Sequence, residues 1–334
     1  MKDRATTIIV DGTGGDHAPR EIIRGVIESA RLFPAHRFIV TGPAKIITEE
    51  FAVHGGVGDI EIVDAPEVID MGEEPGRAVK TKQNSSIVTG MRLIKEGRAD
   101  AFVSAGNTGA AMAASLFIIG RIEGVKRPAI GVILPSAKDN FLLLDAGANA
   151  DNKPEYLPQF AVMGSTYAKD ALGITDPKVG LLNLGEEAEK GSLFTKESFK
   201  LIRETPVNFI GNVEGHTVFE GQVDVVVTDG FTGNVFLKVV EGVAATFLGA
   251  LKEGIMGSVR GKAGGFLLTP AITEIIKRND PEETGGAVLL GVDGVCIIGH
   301  GRSNAKAIRN AVRVAAASVE NDIVGHIRQG IARD

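Results

Sequence analysis

Short apolar runs alternate along this chain with longer segments in which apolar residues recur every three to four positions. The first pattern reads as strands buried on both faces, the second as amphipathic helices laid over them. Residues 7–10, 37–41 and 60–64 predict three strands, and 20–32 predicts a helix that starts just after Pro19. Residues 71–83 read as polar and irregular around Pro75, 84–95 as a helix running into Gly97, 101–104 as a strand and 109–121 as a helix of small residues. Residues 129–135 and 140–145 pair around a turn at 136–139, and 154–172 is a long helix. Strands follow at 179–184, 207–211 and 223–228, then an apolar amphipathic helix at 233–251. A hairpin forms from 287–292 and 295–299 around Asp293-Gly294, and one long helix closes the chain at 303–328. Strand and helix signals alternating in this way predict an α/β fold with a largely parallel sheet. No break in composition marks a boundary, so residues 1–334 read as one domain, with two lobes sharing a sheet left open.

Where the apolar runs end, glycine and asparagine cluster. The turns are Asp11-Gly12-Thr13-Gly14-Gly15-Asp16-His17, Ala105-Gly106-Asn107-Thr108-Gly109, Asp145-Ala146-Gly147-Ala148-Asn149, Asn183-Leu184-Gly185 and Asp229-Gly230-Phe231-Thr232-Gly233-Asn234. Ligands of open α/β sheets bind outside the carboxyl ends of the strands, where glycine lets backbone N–H groups approach an anion. Five such turns predict a composite site for a phosphate-like ligand. The first is neither a dinucleotide fingerprint, since His17 stands where a third glycine belongs, nor a P-loop, since no Gly-Lys-Ser/Thr follows. Asn107, Asn149, Asn183, Asn212 and Asn234 each cap a helix or hold a turn on one reading. On the other they supply neutral amide donors to carbonyl or phosphoryl oxygens.

Composition narrows the chemistry. A net charge of −6, no tryptophan and two tyrosines argue against nucleic acid as a partner. The single cysteine, Cys296, lies in an apolar run and excludes an intrachain disulfide or a cysteine-cluster metal site. The first residues carry no signal-peptide pattern, and no apolar stretch reaches the roughly 20 residues of a membrane span, so a cytoplasmic protein is expected. Lys190 reads either as a solvated loop lysine or as the charge partner of a bound anion, and Arg77, Lys80 and Lys82 with Ser85-Ser86 carry the same two readings. No serine nucleophile elbow, HExxH or Cys/His pair appears, so a nucleophile would belong to a substrate.

The segments Gly14-Gly15-Asp16-His17-Ala18-Pro19, 104–110, 144–149, 180–185, 209–214, 225–234, Gly285-Gly286 and His300-Gly301, in this order, resemble the bacterial phosphate acyltransferase family, PlsX. The resemblance implies transfer of a fatty acyl group from acyl carrier protein to inorganic phosphate. The acyl phosphate would feed a membrane glycerol-phosphate acyltransferase in phospholipid synthesis. It also implies a homodimer and a Rossmann-like three-layer α/β/α fold akin to isocitrate/isopropylmalate dehydrogenases and phosphotransacetylases, with no cofactor and no metal. Phosphate is then assigned to the turns holding Gly14, Gly15 and Asp16, with Lys190 as charge partner. Asn107, Thr108, Gly109, Asn183, Gly233 and Asn234 would contact phosphate or the thioester carbonyl, and Asp229 and His17 would orient donors or move a proton. Lys306, Arg309 and Arg313 share one helix face, either solvated or docking the acidic carrier protein. Residues 251–278 are expected to form a helical hairpin, with Phe266, Leu267 and Leu268 touching a membrane and Gly261, Gly264 and Gly265 weakening the helix. Its other apolar and basic residues include Ile275, Ile276, Lys277 and Arg278. A phosphotransacetylase acting on acetyl-CoA, a decarboxylating dehydrogenase and a non-catalytic lipid or carrier-protein binder are the alternatives.

Overall fold

Eleven strands join into one sheet in the computed structural model, which describes residues 5–56, 58–278 and 281–332. They are β1 (Thr7–Asp11), β2 (Arg37–Gly42), β3 (Glu61–Asp64), β4 (Ala101–Ser104), β5 (Ala129–Leu134) and β6 (Phe141–Leu144). β7 (Lys178–Asn183), β8 (Asn208–Glu214), β9 (Val225–Val227), β10 (Ala287–Leu290) and β11 (Val295–Ile298) complete it. The order across the sheet is β3-β2-β1-β4-β11-β10-β5-β6-β9-β7-β8. β3, β2, β1, β4 and β11 run parallel. The pairings β11/β10, β10/β5 and β5/β6 are each antiparallel. β6, β9, β7 and β8 are again parallel to one another. Three reversals leave this last group pointing opposite to the first five strands. The sheet is mixed and mostly parallel, as its apolar runs predict.

Twelve α-helices accompany the strands among the described residues. The first six are α1 (Arg20–Leu32), α2 (Ala44–Val53), α3 (Pro75–Thr81), α4 (Ser86–Lys95), α5 (Thr108–Ala114) and α6 (Leu157–Leu172). Then come α7 (Leu193–Ile202), α8 (Gly230–Met256), α9 (Val259–Arg278), α10 (Pro281–Thr284), α11 (Ala305–Glu320) and α12 (Ile323–Ile331). Side chains alternate along each strand, so Ile8 and Val10 face one core with α1, α6, α11 and α12, while Ile9 and Phe102 face a second with α4 and α5. Helices thus cover both faces, which is why the inner strands read as apolar runs, while the edge strands β3 and β8 carry polar, partly exposed residues.

Several expectations change. The segment 71–83 contains α3, started by Pro75 and capped by the Glu74 carboxylate, which accepts N–H bonds from Gly76 and Arg77. The closing helix is two, because Asp322 takes a left-handed conformation (φ 48°) between α11 and α12. The hairpin begins much earlier than residue 251: its first arm is the whole of α8, 27 residues long, and the turn lies at Gly257-Ser258. α8 also corrects the expectation on membrane spans, being long and apolar enough to cross a membrane by length and composition. The charges of Lys238 and Glu241 interrupt its sequence without lowering the mean hydropathy of its most apolar stretch below 1.5. Gly265 lets α9 close on Ile255 of α8, where a Cβ would come within 2.5 Å of the isoleucine. Phe266, Leu267 and Leu268 are exposed, whereas the side chains of Ile275, Ile276, Lys277 and Arg278 lie outside the described residues.

Phe102, fully buried on β4 under α4 and α5, is the side chain on which the second core closes. Phe102→Ala is expected to cost about 3–5 kcal/mol in urea unfolding, with the slope of the transition unchanged.

Candidate functional site

The strand order changes direction twice, and open α/β sheets form their ligand crevice at such a change. β1 leads through α1 to β2 on one side, yet the strand on its other side is β4. At such switch points the connections diverge and leave room between strand ends. Three turns meet there, after β1, β4 and β11. Asp16 N–H donates to the Gly301 carbonyl at 2.7 Å. Gly15 holds φ at 103°, and a Cβ on it would lie 2.9 Å from the Gly301 oxygen and 3.1 Å from that of Ala105. A Cβ on Gly14 would lie 2.7 Å from the Gly106 nitrogen. Only glycine permits this contact between backbones. Asp11, almost fully buried, ties the first two turns: its carboxylate accepts from Ser104 Oγ at 2.7 Å and from the Thr13 N–H at 3.1 Å.

The N-termini of α1, α5 and α11 all begin at this edge, so their backbone dipoles add positive potential. Asp16, His17, Arg20, Thr108, His300 and Arg302 are exposed around it. His300 Nδ1 accepts the Arg302 N–H at 3.2 Å, which leaves Nε2 as the outward ring nitrogen. Arg302 is a candidate that the sequence reading passed over. Its signal was an arginine directly after the His300-Gly301 pair at a strand end.

The second crevice lies between β7 and β9, at the opposite edge of the sheet. β7 leads through α7 to β8 on one side, with β9 on the other. Leu181 is level with Val227, so Asn183 and Asp229 end neighbouring strands. Lys190 is exposed in the loop beyond Asn183. Gly233, on the first turn of α8, passes so close to the 145–149 turn that a Cβ would lie 1.9 Å from the Asp145 oxygen. The Asp145 carboxylate is fully buried and accepts five N–H bonds: from Ile130, Gly147, Ala148 and Asn149 backbones and from Asn149 Nδ2. Burial pushes its pKa above the ordinary value, against the pull of these donors.

The single composite site expected from five turns is therefore divided within one chain. Gly14, Gly15, Asp16, His17, Asn107, Thr108 and Gly109 gather at the first crevice; Lys190, Asn183, Asp229, Gly233 and Asn234 gather at the second. The reversal of strand direction separates Lys190 from the glycine turns it was expected to assist. The asparagines are also committed. Asn183 Nδ2 donates to the Lys190 carbonyl, Asn234 Nδ2 to Ala146, Asn149 Nδ2 to Pro128, and Asn212 Nδ2 to Glu187. Asn107 Nδ2 reaches three carbonyls, those of Asp70, Met71 and Glu73. Asp229 caps α8 by accepting the Thr232 N–H at 2.9 Å. The basic face of α11 is engaged too: Lys306 pairs with Glu283 at 2.9 Å, Arg309 with Glu28 at 3.1 Å, and Arg313 donates to the Glu283 carbonyl. These three cations fasten α11 to α1 and α10, a job the sequence pattern did not reveal. Among the described residues no group of three His, Cys, Asp or Glu side chains is placed to hold a metal ion.

The model of a family described as "Fatty acid synthesis protein" matches residues 6–325. The chain belongs to this family. A phosphate acyltransferase of Desulforamulus reducens is 50% identical over 327 residues, covering 98% of each chain. One of Desulfitobacterium hafniense is 49% identical over 328 residues, again 98% of each. The resemblance read from the motifs is thus borne out. Among solved structures, a phosphotransacetylase from Streptococcus pyogenes superposes with a TM-score of 0.64 at 16% identity, covering 95% of this chain and 94% of that one. The EutD phosphotransacetylase from Staphylococcus aureus gives 0.62 at 17%, with 94% of each covered. These likenesses speak for the fold.

Asp145→Asn would turn one end of the side chain into a donor facing N–H groups. It is expected to destabilise the protein by upwards of about 2 kcal/mol, read by urea unfolding, although no atom of Asp145 is exposed.

Proposed function

We propose that this chain transfers a fatty acyl group from acyl carrier protein to inorganic phosphate, and that the reaction takes place at the first crevice. The interlocked turns after β1, β4 and β11 carry this reading: backbone, helix N-termini and Arg302 converge at one switch point, and among the described residues no serine or cysteine there is hydrogen-bonded to a histidine that would activate it. Phosphate itself attacks the thioester carbonyl. The protein's task is then to hold two reactants in line and to stabilise the tetrahedral oxyanion with fixed donors. Arg302 neutralises the phosphate, and His17 or the outward nitrogen of His300 carries its proton. The leaving thiol, with an ordinary pKa of about 8.5, departs with little acid assistance.

A second reading places the chemistry at the other crevice. It is favoured by Phe231, Val235, Val239, Val243 and Phe247, exposed apolar side chains four residues apart that lead from the Asp229 cap along α8. Such a row would guide an acyl chain. Trapping acyl phosphate with hydroxylamine, from long-chain acyl carrier protein and phosphate, tests the activity. Arg302→Ala is expected to lower kcat/KM for phosphate by about 100-fold or more, with Lys190→Ala milder. The reverse ranking would move the reaction to the second crevice.

The exposed Phe266, Leu267 and Leu268 support a peripheral contact of the α8–α9 hairpin with a membrane, in keeping with a product destined for a membrane acyltransferase. Phe266→Asp combined with Leu267→Asp is expected to abolish flotation with anionic vesicles while leaving hydroxamate formation intact. Flotation equal to that of the unaltered chain would reject the contact. A homodimer and a cytoplasmic location belong to the same proposal.

A further inference from the structure

Asn107 does two separable things. Its Oδ1 accepts the Ala110 N–H at 2.9 Å and caps α5. That bond fixes the amide orientation and turns Nδ2 toward the segment 70–73, whose Asp70, Met71 and Glu73 carbonyls lie 3.1–3.2 Å away. Two N–H groups shared among three carbonyls, on a side chain only 5% exposed, bind that segment to the wall of the first crevice. The other side of the segment is held by Lys82, whose ammonium donates to Glu73 and to the Val68 carbonyl, both at 2.6 Å. The result is a strap stretched between α3 and α5. Met71, at its middle, is half exposed, and a Cβ on Gly301 would lie 3.1 Å from its Cε. The strap therefore reaches across from α5 to the turn after β11, laying a thioether over the crevice.

We infer that Asn107 is a positioning residue that latches the 70–73 strap, and that Met71 on this strap forms the apolar wall against which the acyl thioester end of the donor lies. Asn107 then acts through the strap and does not itself donate to phosphate. The inference rests on the first-crevice reading above. Its chemistry is specific: a flexible, polarizable thioether suits an acyl chain or pantetheine arm and offers nothing to an anion.

Asn107→Asp isolates the latch. A carboxylate still caps α5, but it has no N–H for the strap and faces three carbonyl oxygens. The experiment measures hydrogen exchange at amides 70–74 together with KM for long-chain acyl carrier protein and for phosphate. For Asn107→Asp, exchange at 70–74 is expected to rise about tenfold with the rest of the chain unchanged. KM for the acyl donor is expected to rise at least about fivefold, with KM for phosphate within about twofold. Met71→Ala should reproduce the donor KM shift while exchange at 70–74 stays as in the unaltered chain. Unchanged exchange in Asn107→Asp would overturn the latch. Faster exchange with an unchanged donor KM, or a shift confined to the phosphate KM, would overturn the wall. If the unaltered chain makes no acyl phosphate, the proposed function fails and the wall with it, while the exchange measurement still decides the latch.

Discussion

A parallel strand hands its chain to the same edge of a sheet as its neighbours; an antiparallel neighbour hands it to the other. Here three antiparallel pairings sit together in the middle, at β11/β10, β10/β5 and β5/β6. Everything to one side of them opens at one edge and everything to the other side at the opposite edge. The edge at which each strand-end turn opens follows from that. The fold offers two switch points instead of one, and chemistry placed at either must be built from the residues delivered there.

At both crevices most of the polar groups are used to hold the protein's own backbone. Asp11 and Asp145 are buried carboxylates that tie turns together, and each asparagine at a strand end spends amide hydrogens on a neighbouring carbonyl. Such satisfied networks are expensive to disturb and leave little freedom in the walls. Rigid walls suit a reaction whose nucleophile and leaving group both come from substrates. Preorganised donors cost no reorganisation when charge develops. What is left to meet a ligand is backbone N–H, the helix termini and a few exposed side chains, Arg302 and His300 among them.

Much of the fold was legible because its strands are buried on both faces. Such strands read as continuous apolar runs, and the 136–139 and Asp293-Gly294 turns marked both hairpins. Strand direction was not legible. Nothing in the run Leu142-Leu143-Leu144 tells whether it lies beside Val225 or beside Ile8, and that choice divides the expected site in two. α3 was missed because its sequence is polar, although Glu74 and Pro75 form a start signal in retrospect. The roles of the asparagines were half legible. A cap can be foreseen from position, as with Asn107 before α5, but its other partners, 34 to 37 residues earlier, belong to tertiary structure. The basic row on α11 misled for the same reason: spacing shows that Lys306, Arg309 and Arg313 share a face, and only packing shows that α1 and α10 lie against it.

The hairpin of α8 and α9 follows a different logic from the crevices. α8 is anchored by its first turns, where Gly230, Gly233 and Leu237 are buried, and then leaves the core with Val239, Val243 and Phe247 exposed. An apolar helix of this length gains nothing by facing water, since each exposed side chain forgoes about 1.5–3 kcal/mol of burial. Contiguous apolar surface of that kind marks a place where another surface belongs. Because the row starts at the Asp229 cap and ends near the α8–α9 turn, whatever covers it is joined to the second crevice by one continuous helix.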